Sequence, residues 1–181
     1  MILATGMSKA FGKKRDVHAV RDVTLSAPNG EITGLLGPNG AGKTTTMKML
    51  TGLLDITEGS ARLLGKPVDA SDLRTRLHIG YMSQLFSLYE ELSVRQNLVL
   101  HARLYRMDPA TATQAIEASL DTFELRPYAE TMPASLSLGI RQRLQLAAAC
   151  LHKPEVLILD EPTSGVDPAA RDMFWRHMIR L

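Results

Sequence analysis

Apolar residues run along the chain in two rhythms. Residues 31–36 (EITGLL) form a short apolar run that stops at a Gly/Pro/Asn/Gly cluster, the mark of a buried strand. From 43 to 53 the spacing becomes helical, with Met47, Leu50, Leu53 and Leu54 apolar. Strands are expected at 61–64 and at 77–82, the second ending near Gln84. From 93 to 125 apolar residues recur at three- and four-residue steps, and Ser93 and Asp108-Pro109 offer N-terminal caps for helices. Residues 138–151 read as a further helix, and 156–159 as a buried strand directly before Asp160 and Glu161. A last helix begins at Pro168, with Asp167 as its cap, and runs to the end of the chain.

This order predicts an α/β fold with a helical subdomain inserted at about 85–150, all within one domain over 1–181. The chain stops inside its last helix without a closing strand, so a C-terminally truncated domain is expected. Its 181 residues suffice for one sizeable core. With 45 % hydrophobic and 22 % charged residues the composition is that of an ordinary globular protein. Lys plus Arg is 21 and Asp plus Glu is 19, a net charge of +2 that gives no support to a DNA or acidic-membrane partner. No stretch approaches the roughly 18–20 apolar residues of a membrane span, and the N-terminus lacks a signal-peptide layout. The expected place of the domain by itself is therefore the cytosol. The single cysteine, Cys150, lies in an apolar run and reads as a buried structural thiol.

Three constellations carry chemistry. The first is G-x-x-x-x-G-K-[ST], met by Gly37, Gly42, Lys43 and Thr44 between an apolar run and a helical pattern. Glycines let the backbone wrap around phosphate, and the helix beginning near Gly42 adds its positive dipole end. Lys43 supplies a point charge for the β- and γ-phosphates, and the Thr44 hydroxyl is a ligand for Mg²⁺. The motif alone does not separate kinases, GTPases and transport ATPases. The second is VLILDE, which delivers two carboxylates to a strand's C-terminal end, where α/β folds bind ligands. Asp160 would hold Mg²⁺ through water, and Glu161 would orient or deprotonate the attacking water; an acidic turn before Pro162 is the plainer alternative. The third is Leu136-Ser137-Leu138-Gly139-Ile140-Arg141-Gln142, which taken alone is a helix start with Ser137 as its cap.

GPNGAGKT, Gln84, LSLGIRQR, LILDEP and SGVDP, in this order and spacing, resemble the nucleotide-binding domain of ABC ATPases over essentially the whole chain. The longer stretches are similar to the second ATPase domain of the bacterial ribosome-associated ABC ATPase and to ABC-2-type drug exporters. The resemblance implies a P-loop NTPase core of mixed sheet flanked by helices, with ATP and Mg²⁺ as cofactors. It implies that two such domains pair head to tail with ATP between the phosphate loop of one and the signature of the other. The loop residues Gly37, Pro38, Asn39, Gly40, Ala41, Gly42, Lys43, Thr44 and Thr45 would cradle the phosphates, and Phe11 would stack on adenine. Thr44, Gln84 and Asp160 would hold the metal, while Glu161, Gln84 and Lys43 would serve catalysis. Ser137 and Gly139 would reach the γ-phosphate of the opposite domain, a use compatible with capping. Asp167 would communicate across the dimer or cap the last helix.

In the whole protein the implied function is ATP-driven export through an ABC-2-type transmembrane domain, at the cytoplasmic face of the membrane. The apolar and aromatic residues after Gln84, at 85–92, would meet that partner. A soluble ATPase acting on the ribosome is the alternative. A DNA-repair ATPase is disfavoured because no sustained heptads separate loop and signature, and a nucleotide kinase because of LSLGIRQR. The sequence departs from the family pattern in three places. Phe11 stands where Tyr is usual, and LSLGI stands for the commoner LSGGQ. His177 does not match the family's switch histidine, which lies on a strand beyond the last helix. His18, His78, His101 and His152 show no metal-ligand spacing.

Overall fold

The computed structural model describes residues 1–12, 15–166 and 168–179. The chain divides into two compact units, Met1–His78 and Ile79–Leu181.

The first unit is an antiparallel sheet in the order β2-β1-β3-β4, formed by β1 (Ile2–Phe11), β2 (Val17–Ala27), β3 (Glu58–Leu63) and β4 (Lys66–Pro67). Along β1, Ile2, Ala4 and Met7 are buried while their neighbours face outward, the period of a half-buried strand. β1 and β2 lie outside the runs that the apolar pattern marks, because bulges interrupt their alternation between Ala4 and Ala10. Gly59 is obligatory at the β1–β3 seam, since a Cβ there would lie 2.2 Å from the Gly6 carbonyl oxygen. β3 starts and stops earlier than the expected 61–64. Leu64 and Gly65 both take positive φ, 51° and 80°, and turn the chain into β4 as a two-residue hairpin does. Helix α1 (Lys43–Leu50) packs on β1, β2 and β3 and buries Met49 and Leu50.

One expectation fails here. Residues 31–36 form no strand, and Ile32 and Leu36 are 80 % and 93 % exposed. An apolar run states a tendency to be buried, but a strand exists only where a neighbour supplies hydrogen bonds. None of the strands in the β2-β1-β3-β4 sheet of this unit pairs with that run.

In the second unit, β5 (Ile79–Met82) and β6 (Val156–Leu159) pair in parallel, from Ile79 with Val156 to Met82 with Leu159. Residues 77 and 78, expected to begin β5, close a 3-10 segment (Leu73–His78) of the first unit instead, in which the Arg76 guanidinium donates to the Gly52 carbonyl at 2.7 Å. Helices α2 (Val94–Leu104), α3 (Pro109–Thr122) and α4 (Leu138–Cys150) share one apolar core with Met82, Phe123 and Phe174. Burying side chains such as Leu98, Leu120 and Leu144 contributes about 1.5–3 kcal/mol each. Ser93 closes a capping box with Gln96, and Asp108 accepts from the Thr111 amide at 3.0 Å ahead of Pro109. α5 (Pro168–Ile179) packs on α4. Cys150 is only partly exposed, and burial pushes its thiol up to about 12, consistent with an unreactive packing role.

Candidate functional site

The candidate phosphate loop, residues 37–45, lies in the first unit. Gly40 and Gly42 take φ of 80° and 86°, which lets the exposed chain from Gly37 through Pro38, Asn39 and Ala41 curl ahead of α1. Gly42 also has no room for a side chain, since a Cβ would lie 2.4 Å from the Ala19 carbonyl oxygen. It occupies the N-cap of α1, and its carbonyl accepts from the Thr46 amide at 2.8 Å. Lys43, Thr44 and Thr45 make the first turn, where helix amides and the dipole favour an anion. The Lys43 ammonium is folded over the loop, donating to the Gly37 carbonyl at 2.9 Å and to the Pro38 carbonyl at 3.0 Å. Phe11, at the end of β1, is exposed with the Lys9 ammonium 5.2 Å from its ring centroid. Lys9 is held by Asp55 at 2.9 Å, and that hydrogen bond lowers the Asp55 carboxyl below its ordinary range.

The carboxylates are built in the second unit. β6 ends at Leu159, and the next amide, that of Asp160, donates to the Met82 carbonyl at 2.9 Å, prolonging the parallel pairing by one bond. Asp160 is 1 % exposed, and neither carboxylate oxygen has a hydrogen-bond partner. Burial, helped by the Asp160 charge, pushes the Tyr81 hydroxyl up to about 12, and that hydroxyl is buried without a partner as well. Glu161 takes a left-handed φ of 48°, and its Oε2 accepts from Gln84 Nε2 at 2.9 Å. Gln84 and Glu161, 77 positions apart, are thus joined across the ends of β5 and β6. A buried carboxylate with empty lone pairs beside a glutamate held by an amide suits a hard cation and a water.

A family model described as ABC transporter matches residues 20–164. The chain belongs to the ABC transporter family.

Among relatives, this ABC domain is 44 % identical over 98 % of its length to the probable multidrug ABC transporter ATP-binding protein YbhF of Escherichia coli (strain K12), of which it covers 30 %. It is 38 % identical over 97 % of its length to a Nod factor export ATP-binding protein I of Burkholderia lata, of which it covers 57 %. The chain therefore spans less than two thirds of either relative. Among solved structures it matches a dimeric ATP-binding cassette bound to ADP and Pi, described as a post-hydrolysis state. That match has a TM-score of 0.89 and 25 % identity, over all of this chain and 82 % of the other. The fold is that of the ABC ATPase cassettes.

Ser137 and Gly139 line a hollow of about 270 Å³ with Arg143, Gly165, Val166 and Met173. Ser137 stands at the N-cap of α4 but makes no side-chain cap bond, which corrects the expectation of a capping hydroxyl. Its carbonyl alone engages the helix, accepting from the Arg141 amide at 3.0 Å, so the hydroxyl is not needed for capping. Asp167 lies outside the described residues. No group of three or more His, Cys, Asp or Glu side chains among the described residues is placed to hold a metal.

The residues that pattern reading missed are buried amides. Asn97 donates from Nδ2 to the carbonyls of Tyr89 and Leu92, each at 2.9 Å, and accepts from the Tyr89 amide at 3.0 Å, shaping the loop after Gln84. Gln142 and Gln145 play a similar part from α4. The available signal was a polar residue recurring at helical spacing on an otherwise apolar face.

Proposed function

We propose that this chain is the ATP-binding and ATP-hydrolysing part of an ABC exporter, one ABC domain over 1–181 with its helical subdomain at about 85–150. The observation that carries the reading is the Gln84–Glu161 bond beside the buried, unpartnered carboxylate of Asp160, on a chain that also bears the loop from Gly37 to Thr44. The loop amides, Lys43 and Thr45 would take the phosphates of ATP, and Phe11 would stack on adenine. Thr44, Gln84 and Asp160 would hold Mg²⁺, and the empty oxygens of Asp160 support that assignment. The ion would supply positive charge to offset what develops on the transferring phosphoryl group.

Glu161, its carboxylate aimed by Gln84, would orient a water and take its proton. The water oxygen bonds to the γ-phosphorus as the bond to the β–γ bridging oxygen breaks, leaving ADP and inorganic phosphate. Ser137 and Gly139 would bind the γ-phosphate of a second, head-to-tail domain, and the uncommitted Ser137 hydroxyl supports this. Asp167 would communicate across that dimer. Binding would close the dimer and hydrolysis would reopen it, moving an ABC-2-type transmembrane partner at the cytoplasmic face of the membrane. Leu85 and Tyr89, 79 % and 55 % exposed, suit the surface that meets it. No helix among the described residues is long and apolar enough to cross a membrane, so the spans would lie elsewhere.

The names of the relatives, a multidrug transporter and a Nod factor exporter, favour export over action on the ribosome. The test is Glu161→Gln in the full-length protein. ATP hydrolysis is expected to fall by about 10²–10⁴-fold, with an ATP-bound dimer accumulating on size-exclusion chromatography. Hydrolysis at the parent rate would overturn the reading.

A further inference from the structure

Helix α4 is apolar on its buried side with two exceptions. Leu144, Leu146, Ala147, Ala148 and Ala149 are buried, and so are Gln142 and Gln145, at 6 % and 5 % exposure. Residues three apart are neighbours on a helix surface. A carboxamide is kept in such a place at a cost unless its polar atoms are satisfied. Each glutamine turns its Nε2 away from the helix to a loop.

Gln142 donates to the Ser164 carbonyl at 3.3 Å, in the turn that the Ser164 amide closes on the Glu161 carbonyl at 3.0 Å. Gln145 donates to the Leu85 carbonyl at 3.0 Å, with a longer contact to the Ser83 carbonyl at 3.5 Å. Those two carbonyls bracket Gln84. The Ser83 hydroxyl also donates to the Leu85 carbonyl, at 2.8 Å, tightening the same turn. One helix face therefore holds both loops whose side chains meet in the Gln84–Glu161 bond. The approach depends on Gly80, because a Cβ there would lie 2.3 Å from the Ala149 carbonyl oxygen of α4.

We propose that Gln145 is a positioning residue for ATP hydrolysis, fixing the backbone on both sides of Gln84 and through Gln84 the carboxylate of Glu161. Gln84 is exposed and its side chain has three rotatable bonds, so it can aim Glu161 reliably only if its own Cα is held. The inference rests on the reading of Glu161 given above.

The test is Gln145→Met, which keeps the buried volume and removes the donor, in the full-length protein and again in a Gln84→Ala background. In the parent background kcat for ATP hydrolysis is expected to fall about 10- to 100-fold, with KM for ATP within about twofold. In the Gln84→Ala background the same substitution should have almost no further effect. Amide hydrogen exchange of 83–88 should accelerate while α4 stays protected. An unchanged kcat, an equal loss in both backgrounds, or exchange that accelerates uniformly would each overturn the proposal. If Glu161→Gln itself hydrolyses ATP at the parent rate, the reading of the site fails. If Glu161→Gln is slow and Gln145→Met is normal, only the role of Gln145 fails.

Discussion

Gln84 Nε2 donates to Glu161 Oε2 at 2.9 Å, joining the ends of two parallel strands. A partly exposed glutamate rotates among several rotamers, and a single well-aligned donor removes part of that freedom before any substrate arrives. Asp160, the neighbour of Glu161, has the opposite character, fully buried with no donor at either oxygen. Two adjacent carboxylates thus stand in different environments, one steered by an amide donor and one buried without any donor.

Asp160→Asn should stabilise the nucleotide-free protein while impairing its use of Mg²⁺. Removing a buried, unpaired charge relieves a desolvation cost. A gain of about 1 kcal/mol would raise Tm by about 2–4 °C. Differential scanning calorimetry without nucleotide checks this, and a lower Tm in the variant would show that the carboxylate has a partner in solution. The further stabilisation that Mg-ATP gives the parent should be lost.

Lys43→Ala should weaken ATP binding by tenfold or more, about 1.4 kcal/mol, with little change in Tm. Its ammonium donates to the carbonyls of Gly37 and Pro38, in a loop that is exposed. Isothermal titration calorimetry with ATP decides the matter; parent affinity in the variant would remove Lys43 from the phosphate site.

Gly42→Ala and Gly40→Ala should differ although both positions have φ near +80°. At Gly40 nothing lies within 4 Å of an added Cβ, so the cost is the left-handed conformation alone, about 1–2 kcal/mol. At Gly42 the Cβ would lie 2.4 Å from the Ala19 carbonyl oxygen, so β2 or α1 must also move. Urea denaturation should show the larger loss for Gly42→Ala, and equal losses would contradict this geometry.

Asn97→Leu should cost about 3 kcal/mol, because a residue of similar size leaves the Tyr89 amide and several carbonyls without their buried partner. The damage should concentrate at residues 85–92, the proposed surface for the membrane partner. Transport should therefore fall more than ATP binding does, and an equal fall in both would place the loop's role elsewhere.

Most of the helices and the site motifs were legible in the sequence because they follow local rules. The Ser93 cap and the Asp108-Pro109 start are set by residues within one turn, and both stand as expected. Gly37, Gly42, Lys43 and Thr44 lie within one loop and one helical turn, so their spacing alone brings them together. Val156 to Leu159 formed the expected strand, since four apolar residues between turn signals leave few alternatives. The expected strand at 31–36 failed for the complementary reason, that apolar character says nothing about which neighbour will supply hydrogen bonds.

What the sequence determined by itself, then, is the turn from Gly37 into α1, the caps at Ser93 and Asp108, and the delivery of Asp160 and Glu161 to the end of β6. Backbone conformation and hydrogen bonds over a few residues are enough for these. Tertiary structure alone decided that Gln84 should meet Glu161 from 77 positions away, that Asp160 should be buried unpaired, and that Gln145 should reach the carbonyls around Gln84. A side-chain amide has no preferred partner until packing supplies one, and burial is what turns that choice into a commitment.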